Sequence, residues 1–305
     1  MTRISDFGLQ QILLSGFERA QSSAQMRQIQ LATGKVANAY SGIGPRAAEL
    51  LTSEGVLSRT SAFEGAAQAA LSRLQVQEAS MMTVADAVAL IRQRMVTALA
   101  TGSAELFLPE VETATQRIVT GLNAEFGGVY VFGGVDGAVA PLQAATLADF
   151  GAAANTDALF IQAARARLPI EEGTTVDGGA TAFEIGRDLA MELKDLANAE
   201  SVLGPFIGQL TAAQRNFLLT KVQSLDAISA SLYSELGLNG VAQGAAEDAR
   251  VRNRDRRDLA ELVVSAVEDA DIAEVVARLS QDKIAVEASA RALAQATELS
   301  LLNYI

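Results

Sequence analysis

Apolar residues at the start of the chain keep a helical rhythm. Leu13, Phe17, Ala20, Ala24 and Leu31 recur at spacings of 4, 3, 4 and 7, which draws one seam along a helix that should stop near Gly34. Pro45 stands where a first helical turn tolerates proline. From there Ala67, Leu71, Leu74, Met81, Ala85, Val88, Met95 and Leu99 hold a 3.5-residue period as far as Thr101-Gly102. One helix from Pro45 to Ala100 is predicted. At ~1.5 Å per residue it spans on the order of 80 Å, which suits a rod better than a globule. Pro109-Glu110 opens a further helix with the seam Val111, Ala114, Ile118, Leu122 and Phe126, closed by Gly127-Gly128.

The texture then changes. Val129 to Phe132 is a β-branched and aromatic run between glycine pairs, Asp136-Gly137 is a turn signal, and Ala158–Ile161 and Arg167–Ile170 are further strand candidates. A small β-rich insertion over 129–181 is expected. Thr181-Ala-Phe-Glu184 has the form of a capping box, as does Thr211-Ala-Ala-Gln214, which introduces Phe217, Leu218, Leu225, Ile228 and Leu232. Gly237 to Gly240 is expected to break that helix before another begins. The last helix starts at Asp271-Ile-Ala-Glu274, with the seam Val276, Leu279, Val286, Ala290 and Leu293.

The fold class that follows is mainly α: a long helical coiled-coil rod built from both chain ends with a small β-rich insertion. Residues 1–40 with 270–305 form a terminal coiled-coil domain, 45–128 with 182–269 a helical rod domain, and 129–181 an exposed insertion. A lone amphipathic helix is marginal in water. The terminal helices therefore bury their seams against each other or against neighbouring subunits.

Composition narrows the chemistry. Neither cysteine nor histidine occurs, which removes disulfides, thiol nucleophiles, imidazole bases and the commonest transition-metal ligand. The 24 basic and 36 acidic residues leave a net charge of −12, a sign that repels nucleic acid. That acidity is concentrated between 101 and 204, where 15 carboxylates face 5 cations. No apolar run approaches the ~18 residues of a membrane span, and the polar interruptions at Asp6 and Gln10-Gln11 argue against a cleaved secretory signal.

Candidate chemical motifs reduce to structure. Arg250, Arg252, Arg254, Arg256 and Arg257 alternate with Glu247, Asp248, Asp255, Asp258 and Glu261, so they read as ion pairs within the helix or with a neighbour's acids. Gly42-Ile-Gly44 and the glycines of 127–137 lack the lysine and hydroxyl residue of a phosphate loop. Glu171 and Glu172 are adjacent and point apart on an extended chain. Glu268, Asp269 and Asp271 lack the loop and glycine of a calcium site and fit a negatively charged helix start. Met81-Met82 fits seam packing. No catalytic group, cofactor or metal is expected.

Four passages resemble the flagellin superfamily, nearest to the members that join hook to filament. They are Arg3-Ile4-Ser5 with Gln30-Leu31-Ala32-Thr33-Gly34-Lys35; the stretch from Leu122 through Tyr130 and Phe132 to Gly133-Gly134; Glu268 to Glu274; and the ending Leu299-Ser-Leu-Leu-Asn-Tyr-Ile305. The likeness covers about 1–134 and 182–305, plus Ile170 to Val176 inside the insertion. Ser41-Gly-Ile-Gly-Pro45 departs from the family's Ser-Asp-Asp-Pro. Filament flagellins usually lack the passage around Tyr130, although filament flagellin remains the nearest alternative, with a surface ligand-recognition protein second. The resemblance implies a secreted, extracellular building block of the bacterial flagellum. Its partners would be a homo-oligomeric ring, another hook-associated protein and flagellin, and before assembly the export apparatus and an export chaperone. The assembly surface would comprise Leu13, Phe17, Ala20, Ala24, Leu31, Val276, Leu279, Val286, Ala290, Leu293, Leu301 and Leu302.

Overall fold

The structure is a computed structural model that describes residues 3–104 and 107–302, with side chains described from 8 to 296 outside that gap. The fold is mainly α. Eight helices run in the order α1 (Arg3–Thr33), α2 (Tyr40–Ile43), α3 (Ala47–Thr101), α4 (Phe107–Leu122), α5 (Leu147–Ala152), α6 (Ala182–Leu203), α7 (Ala212–Glu268) and α8 (Ile272–Leu302) among the described residues. Two antiparallel hairpins interrupt them, β1 (Glu125–Phe126) with β2 (Val129–Tyr130) and β3 (Arg167–Glu171) with β4 (Thr174–Asp177). The chain divides into two compact units, one made of residues 1–59 and 256–305, the other of 60–255.

In the first unit α1 and α8 pair antiparallel. Gly34, at φ +71°, ends α1 by donating its N–H to the Gln30 carbonyl at 2.8 Å, a conformation that glycine adopts without steric cost. Beyond it the two chain ends are clasped. Ala270 N–H donates to the Gly34 carbonyl at 2.8 Å, Val36 N–H donates to the Glu268 carbonyl at 2.7 Å, and Lys35 is ion-paired with Glu268. Pro45 sits in a single 3-10 turn, Gly44–Arg46, and α3 starts just after it.

In the second unit α3, α4, α6 and α7 share one core. It is filled by Met81, Val84, Val88, Ile91 and Met95 of α3, Val111, Ala114, Ile118 and Leu122 of α4, Leu189 and Leu193 of α6, and Leu218, Leu225 and Leu232 of α7. The expected seams of α3 and α4 therefore face the core, Leu71 and Leu99 being partly buried, with Phe126 as the exception. That residue lies in β1 and is 38% exposed, because Gly127 and Gly128 both take positive φ and turn the chain through a two-residue hairpin. Gly121 lets α4 approach α3 closely: a methyl there would lie 2.8 Å from Val84 and 3.2 Å from the Ser80 carbonyl.

The segment 129–181 holds less strand than its composition suggests. Val129–Tyr130 and Arg167–Glu171 are strands as expected, but of the Ala158–Ile161 candidate the first half closes a 3-10 turn, Thr156–Leu159, and only Phe160 makes an isolated antiparallel bridge, with Leu142. The reason is packing. Phe132, Leu142, Phe150 and Phe160 bury their side chains in the helical core, so the segment folds as a loop over that core instead of forming a sheet of its own. Capping boxes start α5 at Thr146 with Asp149 and α6 at Thr181 with Glu184. The Thr211 and Gln214 pair performs the same exchange at α7, with Gln214 accepting from Thr211 N–H at 2.9 Å. The break expected at Gly237 to Gly240 is absent. α7 runs unbroken through these glycines, because Asn239 and Ala242 on its inner face are buried and tertiary contacts override the weak local propensity.

Candidate assembly surface

The clasp fixes the register of the terminal pair, and the 2.7 Å hydrogen bond from Ser23 to Asp282 maintains it further along. Gln30, buried, donates to the Val36 carbonyl at 2.7 Å and accepts from Arg27 at 2.8 Å, so the turn is held by side chains from within. The Glu268 hydrogen bond and charge raise the Lys35 pKa above its ordinary value.

The proposed surface residues fall into two groups. Ala24 and Leu279 are buried between the paired helices, and Leu13, Phe17, Ala20, Val286 and Leu293 are partly buried. Leu31, Val276 and Ala290 are exposed, since the inward seam of α8 runs through Val275, Leu279, Asp282, Val286 and Leu293, one position away from Val276. The side chains of Leu301 and Leu302 lie outside the described residues, as do Asn303 to Ile305. The sequence seam missed Asp282 and Gln30 because both are polar. Each nonetheless sits at the helical spacing of its apolar neighbours, a signal that could have found them.

Pairing does not satisfy these helices. Leu9, Ile12, Leu14, Met26 and Ile29 of α1 are exposed, as are Ile272, Val276 and Ile284 of α8; Ile12 reaches 67% exposure and Ile284 65%. Leu259 and Leu262, one helical turn apart in the part of α7 that belongs to this unit, are exposed as well. A two-stranded pair buries only one stripe of each helix, so this apolar surface can be covered by further helices.

In the second unit the Tyr130 to Gly134 passage is a tightly built turn. Tyr130 N–H donates to the Gly137 carbonyl at 2.9 Å, and Val131 N–H to the Ala124 carbonyl at 2.9 Å. Phe132 is buried in the core, while its carbonyl accepts from Ala182 N–H at 2.9 Å at the start of α6. Gly133 has no room for a methyl, which would lie 2.7 Å from the Gly137 Cα. Gly134, at φ +61°, abuts the Ala164 carbonyl. Tyr130 itself is only partly buried.

Gln77 of α3, buried, holds this turn by donating to the Val131 carbonyl at 2.7 Å. Its own oxygen accepts from Asn239 of α7 at 3.2 Å, and Asn239 in turn accepts from Gln243 at 2.6 Å. Arg165 is a second tie that sequence reasoning missed. It reaches Glu184 at 3.0 Å and Glu235 at 3.1 Å, joining the insertion to α6 and α7. Burial opposes its charge, yet the two carboxylates outweigh that and raise its pKa.

Of the arginine cluster, Arg250 pairs with Glu247, Arg257 with Asp258, and Arg252 reaches out of its helix to Glu171 of β3 at 2.9 Å. Among the described residues no group of three or more carboxylates could hold a metal ion, and no helix is long and apolar enough to cross a membrane.

Comparison with known proteins finds likeness in sequence over one region and in fold more widely. Residues 4–136 match the family model of the bacterial flagellin N-terminal helical region. A search of curated proteins finds no sequence match. The fold is similar to that of a solved structure from Vibrio parahaemolyticus, itself provisionally assigned as a flagellar hook-associated protein. The TM-score is 0.59 at 14% identity, over 76% of this chain and 99% of that one.

Proposed function

We propose that the chain is a secreted structural subunit of the bacterial flagellum, standing at the junction between hook and filament. In this reading α1 and α8 form the inner layer of a homo-oligomeric ring. The apolar residues they leave in water, Ile12, Met26, Ile29 and Ile284 among them, are covered by the terminal helices of neighbouring subunits. Another hook-associated protein and flagellin would flank the ring, after delivery by the export apparatus with a chaperone. The observation that carries the proposal is a flagellin N-terminal region whose terminal helix remains apolar on the side turned away from its partner.

Three experiments test it. A variant lacking Glu274 to Ile305 should keep the helicity of residues 60–255 by circular dichroism yet fail to assemble, and normal assembly of that variant would remove the role given to α8. Electron microscopy of cells lacking the gene should show hooks without filaments. The passage from Tyr130 to Gly134 favours the junction over the filament; mass spectrometry of sheared filaments decides between them, since a filament subunit would be the dominant protein there.

A further inference from the structure

The second unit contains two separate hydrophobic clusters. The large one takes Met81 to Ala98 from α3 and Leu218, Leu225 and Leu232 from α7; the small one takes Ala67, Ala70 and Leu74 from α3, Ala242, Ala246 and Ala249 from α7, and Ile170 and Val176 from the β3–β4 hairpin. Between them lies a polar layer. Gln77 and Asn239 meet there, with Gln243 bonded to Asn239 and, at 2.8 Å, to Glu78.

At that level α7 carries Gly237, Gly240 and Gly244, spaced as i, i+3 and i+7 and all exposed on its outer face. None of them is there for want of space, since a methyl at each would have nothing within 4 Å. A glycine inside a helix weakens it relative to alanine through backbone entropy, and three occur here within about two turns. α3, by contrast, has no glycine between Gly65 and Gly102.

We infer that α7 has a built-in hinge at Gly237–Gly244. The helix opens or bends there, on the polar layer, so that Ala242–Ala249 and the β3–β4 hairpin shift against α3, which stays intact. Polar layers suit such a break. Their hydrogen bonds can pass to water when the helix opens, which an apolar contact cannot do.

Amide hydrogen exchange on the purified full-length chain tests this. Amides 237–247 should exchange at least about tenfold faster than those of 218–232, with 70–86 of α3 remaining protected. The variant Gly237→Ala/Gly240→Ala/Gly244→Ala should slow 237–247 by about fivefold per substitution, on the order of 100-fold for all three, and leave 218–232 unchanged. Gly65→Ala, another helical glycine with open space around it, is the control and should not affect 237–247. Uniform protection along α7 would overturn the hinge. So would a triple variant that exchanges like the parent, or a control that slows 237–247 as much as the triple substitution does.

Discussion

Single residues decide the geometry where the chain leaves its helices, and two glycines make the contrast. Gly134 and Gly173 both have positive φ, +61° and +72°, but only Gly134 is hemmed in, by the Ala164 carbonyl, whereas Gly173 turns in open space between β3 and β4. Gly173→Ala should therefore cost about 1 kcal/mol from backbone strain alone. Gly134→Ala should cost more, about 3 kcal/mol, because strain and collision add; urea unfolding midpoints compare the two. Glu184 gives the pH dependence. Burial favours its neutral form, but the Thr181 N–H, the Arg165 guanidinium and the Thr181 hydroxyl outweigh burial and lower its pKa from the ordinary 4.5. A carboxyl depressed in the folded state adds stability above the unfolded value and loses it as pH falls through the folded one. Thermal midpoints should therefore drop below about pH 4.5, with a shallower drop in Glu184→Gln. The Thr181 box was legible as a four-residue pattern. Arg165 was not, because Glu184 and Glu235 are 19 and 70 residues away and only the fold brings them to it.

Among elements, the helices were the readable part. Period, proline and capping residues are local signals: they located the end of α1, both ends of α3 and the starts of α4, α6, α7 and α8 to within a few residues, while α4 stops at Leu122, short of the expected Phe126. Two signals misled for a shared reason: the glycines of α7 and the apolar run at Ala158–Ile161 are both governed by what lies across from them. Packing between elements also sets a testable energy. Lys221 of α7, nearly buried against α6, is 2.9 Å from Glu192, is ion-paired with Asp195, and lies over the Phe217 ring at 5.6 Å. Burial alone would lower its pKa, but Asp195 and Glu192 prevail and raise it. Lys221→Ala strands the Glu192 carboxylate and should destabilise by about 2–3 kcal/mol. Lys221→Met with Glu192→Gln removes both charges while keeping bulk near Phe217, and should recover most of that loss by the same unfolding assay.

For the molecule as a whole, helical class and the involvement of both chain ends could be read from the seams. The partner of each seam could not. Periodicity says that a face is apolar but not what covers it, and the answer is divided: Ala24 and Leu279 are covered within the chain, while Ile12 and Ile284 are left in water. The clasp between Gly34 and Ala270 has a consequence for biosynthesis. Ser23 and Asp282 meet across 259 positions, so during synthesis α1 has no companion until α8 has been made. A nascent or prematurely terminated chain must keep that helix soluble by other means. The α1 segment should accordingly be the stretch most readily cut by protease or bound by a holdase before α8 has been made.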